Sequence, residues 1–362
     1  MNGQIAVMIE PGKLVFQEYP VPDPGPGAII ARVLRSNVCG SEIHIWCGHH
    51  PTKRSGGLGH ETVAVVERLG KGVTHDHAGV PLREGDRIVS TYFIHCRKCY
   101  ACQKGQFYLC DHSYRYWGRQ PQEDPHFHAT FATHWYIHPE QTYYKVPDNV
   151  SDQAAASANC AQSQVYFGID LAGIDYGDSV VIQGAGGLGL NAAAIARAKG
   201  ALVIVIDAVP SRLDDARRFG AEHVIDMTQY ATVEARVEAV RQLTGGRGAD
   251  FGMELTGVLA AYPEGMQLIR PGGTMVAMGT VNPGQTIAYD PAYAVRHGVS
   301  TLALVRYNGP YLKKSLDFLA ANRGKYPFDS LLDKDYRLDE IVQALDDSAA
   351  RRVTRASIVM PH

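Results

Sequence analysis

Four cysteines fall close together as Cys96-x2-Cys99-x2-Cys102-x7-Cys110, out of seven in the chain. In a reducing compartment such clustering reads as metal ligation rather than disulfide pairing. Four thiolates on short spacers can wrap a tetrahedral zinc ion at about 2.3 Å per bond. A closed four-sulfur shell leaves no position for a substrate, so a metal held there is expected to be structural. An iron–sulfur cluster also takes four cysteines, but nothing else in the chain points to electron transfer. A second set is dispersed: Cys39 in NVCGSEIH (37–44), His60 in GLGHE (57–61) and Cys160. Alone, each reads as a small buried thiol or a core imidazole. Together, two thiolates and one imidazole leave one zinc position open, the pattern of a catalytic site.

A third motif carries a different chemistry. The apolar run SVVIQ (179–183) leads into GAGGLG (184–189), which opens the helical stretch LNAAAIARAK (190–199). Gly184 allows a tight turn, Gly186 lets the backbone approach a pyrophosphate, and Gly189 permits close helix–strand packing. With Gly187 and Leu188 between them, they place helix N-terminal N–H groups where phosphates would bind. Asp207 ends the next apolar strand (201–207) and can accept hydrogen bonds from ribose hydroxyls. It would repel a 2′-phosphate, so NAD is favoured over NADP, although Arg212 could lie along the adenine or tolerate that phosphate. The alternative is a glycine-rich turn that binds nothing.

These residues need elements to position them. The first 150 residues read as β-rich, with short apolar runs (28–33, 62–69, 87–91) between Gly- and Pro-containing turns. From residue 151 an Ala-rich, helix-prone stretch begins, and apolar strands then alternate with helices, which implies a parallel sheet covered on both faces. Beyond residue 300 come an amphipathic helix (311–322) and a final strand, ASIVM (356–360). At 362 residues the chain suits two domains. Hydrophobic residues at 45%, charged residues at 20% and a net charge of −2 fit a globular protein and exclude a disordered chain, a coiled coil or a nucleic-acid binder. No apolar stretch approaches the ~20 residues that span a bilayer. The N-terminal stretch lacks a secretory pattern, so a cytoplasmic location and no membrane partner are expected.

Taken together, the Cys-Gly-Ser…His segment, GHE, the EGD turn (84–86), the four-cysteine lobe, GAGGLG and Asp207 make the chain resemble the zinc-dependent medium-chain dehydrogenases, relatives of alcohol, polyol and threonine dehydrogenases. The resemblance spans essentially the whole chain. It implies an α/β protein: a doubly wound parallel sheet (a Rossmann domain, 162–301) inserted in a β-rich GroES-like catalytic domain (1–161 and 302–362) with a structural-zinc lobe (93–113). It implies two zinc ions per chain, a catalytic one on Cys39, His60 and Cys160 and a structural one on Cys96, Cys99, Cys102 and Cys110. Glu61 matches the carboxylate beside the catalytic zinc, Ser41 the hydroxyl that relays the alcohol proton, and His44 the end of that relay. Gln164 stands near the nicotinamide, where many members have Thr. The implied reaction is reversible hydride transfer between a primary or secondary alcohol and NAD, giving an aldehyde or ketone, by a homodimer or homotetramer with a contact near 300–305.

Substrate contacts are expected from Trp46, His49, Trp117 and Arg119, with Tyr92 and His134 as further candidates and Cys47 packing nearby without ligating. ANCA (158–161) and VRYNGPYLKKSLDFLA (305–320) resemble a branch associated with phosphonate catabolism; such an anion would want a cation such as Lys53, Arg54, Arg119 or Arg306. Two rival readings are a zinc-independent quinone or enone reductase of the same fold, and an NAD-binding protein without turnover.

Overall fold

The structure is a computed structural model and describes residues 1–50, 53–279 and 284–361. The chain divides into two compact units, one formed by residues 1–163 and 308–362 and the other by residues 164–307.

The first unit is built on mostly antiparallel sheets, the pair Lys334–Arg337 and Ala356–Val359 being parallel. Its main sheet runs in the order Lys334–Arg337, Ala356–Val359, Ile29–Asn37, Glu61–Leu69, Arg87–Ile94, Gln141–Lys145, with His134–Ile137 pairing alongside Ile29–Asn37. A three-stranded sheet orders Lys13–Pro20, Asn2–Glu10 and Gly56–Gly57. Strand Ile29–Asn37 is inaccessible along nearly its whole length, because Ile29, Ala31 and Val33 enter a core with Ile45, Leu58, Phe131 and Trp135. The C-terminal strand pairs beside it, Ser357 opposite Asn37, so both ends of the chain build one sheet. Asn37 also lies opposite Glu61. That register brings the chain just after one strand (Cys39) next to the chain just before the other (His60).

The second unit is a six-stranded parallel sheet. Numbered within it, β1 is Ser179–Gln183, β2 Leu202–Asp207, β3 His223–Asp226, β4 Ala249–Glu254, β5 Ile269–Ala277 and β6 Ser300–Ala303, in the spatial order 3-2-1-4-5-6. β1 and most of β2 are buried on both faces, as continuous apolar runs require. This doubly wound order reverses between β1 and β4, where such sheets bind ligands. Helix Gly187–Ala198 packs on β1 and β2 through an Ala-rich surface. No helix among the described residues is long and apolar enough to cross a membrane.

One local expectation is modified. The Ala-rich stretch after residue 150 is not one helix: Asp152–Ala155 is α-helical, Ala158–Gln162 widens into a π turn, and Ser163–Ala172 resumes the α-helix. π turns of this kind occur frequently at functional sites, and Cys160 sits inside this one.

Candidate active site

Cys39 caps helix Gly40–Trp46 from an extended conformation, φ −86° and ψ 159°. Three residues on, the Glu42 carboxylate turns back: Oε2 accepts the Cys39 backbone N–H at 3.1 Å, and Oε1 meets His60 Nδ1 in a short contact. Glu42 and His60 are both buried. One carboxylate therefore fixes the chain at the first thiol and the ring of the imidazole, leaving Nε2 aimed at the sulfurs. Gly59 precedes His60 at φ +91°, and a Cβ there would stand 2.5 Å from the Phe131 nitrogen, so both backbone shape and close approach demand glycine. The Asn159 side chain donates to the carbonyls of His60 and Ser90, each at 2.8 Å, and ties the π turn to the two strands.

The three candidate ligand atoms converge. Cys39 Sγ lies 4.0 Å from Cys160 Sγ, and His60 Nε2 lies 3.2 Å from Cys160 Sγ. Tetrahedral zinc with ordinary bond lengths sets such separations at roughly 3.8 and 3.6 Å, so the donor set fits the ion. The members of the group also shift one another's protonation. Hydrogen bonding from Cys160 holds the Cys39 thiol well below its ordinary range, against burial, and the same contact with burial drives Cys160 well above it. The pair thus shares one negative charge, and a divalent cation is what allows both to ionise. Burial pushes His60 down, but Glu42 and Cys39 together raise it to about 10. Glu61 joins the cluster, with one ligand-type atom of each of the four residues within 4.8 Å of the others. One Glu61 oxygen pairs with Arg355; the other is buried without a hydrogen-bond partner among the described residues.

The four clustered cysteines also converge within 4.8 Å. Cys96 Sγ accepts N–H groups from Lys98 (3.5 Å) and Cys99 (3.3 Å), and Cys110 Sγ accepts from Cys96 (3.3 Å). Against the upward push of burial, these backbone donors bring the Cys96 thiol down to about 6. N–H groups aimed at sulfur favour thiolates and fit a four-sulfur metal site.

Ser41 and His44 are three residues apart on helix Gly40–Trp46, hence on one face, and both are half-buried. Burial and the His49 ring, 6.2 Å away, lower His44 below the ordinary histidine value, against the pull of Cys39. His44 is therefore held neutral.

In the second unit the three motif glycines differ in what they protect. Gly184 has φ +98°. A Cβ on Gly189 would meet the Gly184 carbonyl oxygen at 1.8 Å. Gly186, by contrast, has an ordinary φ of −81°, and nothing lies within 4 Å of where its Cβ would be. Neither backbone nor packing requires glycine there, so the open cradle fits an approaching pyrophosphate. Gly186 caps helix Gly187–Ala198 without a side chain, which leaves the first-turn N–H groups at Gly187 and Leu188 available to an anion. Asp207 Oδ2 accepts the Ala185 N–H at 2.7 Å and Oδ1 the Val209 N–H at 2.9 Å. Each oxygen retains a lone pair for a ribose hydroxyl. Arg212 is half-buried on helix Pro210–Arg218, and Gln164 is buried.

The expected substrate residues separate. The Tyr92 ring lies 4.3 Å from that of His60, tilted to it by 48°, and Trp117 stands perpendicular to His60 at 6.2 Å, its indole N–H on the Gly59 carbonyl at 3.3 Å. Trp46 departs from expectation: it is buried in the hydrophobic core and donates its indole N–H to Asp346 at 2.8 Å, because the amphipathic helix turns it inward. Arg119 is spent on the Asp124 carbonyl at 3.2 Å and lies over Tyr116. His134 is buried in its strand against Glu67 at 3.1 Å. His49 is exposed beside His44, Cys47 is exposed and joins neither metal cluster, and Arg306 lies in the second unit. Sequence reasoning missed Glu42, Asn159 and Arg355. Glu42 carried a signal, an acid three residues from a ligand in a helix first turn; Arg355, almost 300 residues from its partner, carried none.

Two family models match the chain: "Alcohol dehydrogenase GroES-like domain" over residues 25–148 and "Zinc-binding dehydrogenase" over residues 187–321. The 5-exo-hydroxycamphor dehydrogenase of Pseudomonas putida is 32% identical over 349 residues, 94% of each chain. Among solved structures, an alcohol dehydrogenase of Thermotoga maritima aligns over 100% of both chains with TM-score 0.91 and 29% identity. The benzyl alcohol dehydrogenase of Acinetobacter calcoaceticus does so with TM-score 0.85 and 26% identity.

Proposed function

From the premise that this chain belongs to the zinc-type medium-chain dehydrogenase/reductase family, as an alcohol dehydrogenase acting on CH–OH groups, we propose the following division of work among its residues. Cys39, His60 and Cys160 hold the catalytic zinc, and Cys96, Cys99, Cys102 and Cys110 hold a structural one. The observation that carries this is the convergence of candidate ligand atoms within 4.8 Å in each set. When bound, zinc supplies Lewis acidity toward the alcohol or carbonyl oxygen, and the nicotinamide accepts or returns the hydride.

The protein's own part is positional and protonic. Glu42 orients His60 and keeps Nε2 on the metal side. Glu61, anchored by Arg355, presents its second carboxylate oxygen to the ligand cluster. Ser41 takes the alcohol proton, and His44, kept neutral by burial, accepts it for delivery to water. Gly184, Gly186 and Gly189, with the N–H groups of Gly187 and Leu188, receive the pyrophosphate. Asp207 receives the adenosine ribose and favours NAD over NADP, Arg212 lies beside the adenine, and Gln164 packs near the nicotinamide.

The exposed edge strand Ser300–Ala303 suits pairing with a second copy as a homodimer or homotetramer. The reduced thiols fit the cytoplasm.

The test is NADH formation by zinc-replete protein with primary, secondary and aromatic alcohols, polyols and threonine, beside metal analysis. Turnover of one class with two zinc ions per chain is expected. Turnover of enones without bound zinc, or NAD binding without any turnover, would overturn the reading in favour of a zinc-independent reductase or a non-catalytic binder.

A further inference from the structure

One cation near the Cys39–His60–Cys160 cluster has no carboxylate in ion-pair contact among the described residues. Lys53 is half-buried, and its Nζ lies 3.6 Å above the centroid of the Trp117 ring. Its polar contact is a long one, 3.4 Å to the Trp117 carbonyl. No carboxylate forms an ion pair with it among the described residues. The negative charge that acts on it is Glu42, which His60 and the Cys39 N–H already engage. Burial lowers its pKa to about 8, the mark of an ammonium poorly supplied with water or counter-charge. An ammonium has three donors, so capacity remains.

The plate beneath it is fixed. Trp117 is held by its indole N–H on Gly59, packs against the hydrophobic core, and contacts Tyr114 at 5.6 Å and Tyr92 at 6.5 Å. Its ring stands perpendicular to that of His60, with centroids 6.2 Å apart. The ammonium and the imidazole of the candidate zinc site thus neighbour one and the same indole. The other basic residues of this region do not compete: Arg54 is exposed and turned onto the Gly48 carbonyl, and Arg119 is bound to Asp124.

We infer that Lys53 is the specificity determinant of this enzyme: it binds an anionic group, a carboxylate, phosphonate or phosphate, carried by the alcohol that reacts at the Cys39–His60–Cys160 centre. The inference rests on the dehydrogenase reading above and adds the substrate class. The cation–π contact holds the ammonium in place in the free enzyme, and the anion completes its coordination on binding.

The test compares alcohols that differ only in charge: 3-hydroxybutyrate with its amide, 2-hydroxyethylphosphonate with its dimethyl ester, and glycerol 3-phosphate with glycerol. The wild-type enzyme should favour the charged member of at least one pair in kcat/KM, and the pair that responds names the anion. Lys53→Met should lower that charged-to-neutral ratio roughly 10- to 100-fold, the value of a charge-assisted hydrogen bond, and Lys53→Arg should restore part of it. A second readout needs no turnover. Acetate, methylphosphonate and inorganic phosphate are titrated against tryptophan fluorescence, with folding of each variant checked by circular dichroism. A saturable change is expected in the wild type and its loss in Lys53→Met. Preference for the neutral members, or a ratio unchanged in Lys53→Met, overturns the inference and leaves the dehydrogenase reading intact. Oxidation of none of these alcohols nor of any in the broader panel above, with NAD still bound and an anion titration that depends on Lys53, overturns the dehydrogenase reading instead.

Discussion

Glu42 touches two of the three candidate catalytic ligands at once, through the Cys39 N–H and His60 Nδ1. Replacing it by Gln keeps the shape but removes the charge that orients and supports the imidazole. Glu42→Gln should weaken zinc binding at this site by roughly 10- to 100-fold. Competition with a chromophoric chelator would show one weakened zinc and one unchanged zinc per chain. His44 carries a pH prediction. Its lowered pKa keeps the imidazole neutral, and able to accept a proton, through neutral pH and below the ordinary histidine range. Alcohol oxidation by His44→Ala should therefore fall behind the wild type by roughly ten-fold or more on the acid side of neutrality. Imidazole buffer should restore part of the rate, and an unchanged pH–rate profile without buffer rescue would remove His44 from the relay.

At the scale of elements, the candidate ligands are delivered by chain segments that regular structure leaves free. Cys39 and His60 flank paired strands, and Cys160 projects from a π turn that a regular helix would have rotated elsewhere. The glycine loop offers a direct test of which constraints belong to the fold and which to the ligand. Gly189→Ala must push against the Gly184 carbonyl, so it should destabilise the second unit by about 2–4 kcal/mol. Gly186→Ala meets nothing in the protein, so its thermal midpoint should match the wild type while NAD affinity falls by ten-fold or more. Calorimetric melting beside NAD titration checks both, and equal behaviour of the two variants would refute the distinction.

At the scale of the molecule, the first unit is closed by the last residues of the chain. Ala356–Val359 completes the sheet beside Ile29–Asn37, and Arg355 reaches Glu61. The proposed structural zinc on the four-cysteine lobe would act as a separate stabilising device, since its short elements, Tyr100–Gln103 and Phe107–Leu109, are too small to persist without a cross-link. Cys99→Ser should reduce zinc from two ions to one per chain, lower the thermal midpoint by several degrees and open residues 96–113 to proteolysis. Metal analysis with limited digestion would detect this, and retention of both ions would exclude the structural role.

Local chemistry was legible from residue types and spacing alone. The four-cysteine lobe gathers its sulfurs from within a few residues of one another, and GAGGLG followed by Asp207 prescribes strand, turn and helix, because each constraint acts over a short stretch of chain. The alternating apolar runs after residue 150 likewise dictated a parallel sheet. Tertiary structure alone decided what depends on contacts between distant segments. Trp46 and Trp117 look equally suited to a substrate site in the sequence, yet helix orientation sends one into the core and sheet packing sets the other beside His60. Arg355 becomes the partner of Glu61 only because the last strand returns to the first sheet. Lys53 is one of many surface-type cations until folding lays it over an indole, with no carboxylate paired to it among the described residues. Its charge is written in the sequence, but its desolvation and its missing counter-ion arise only from packing.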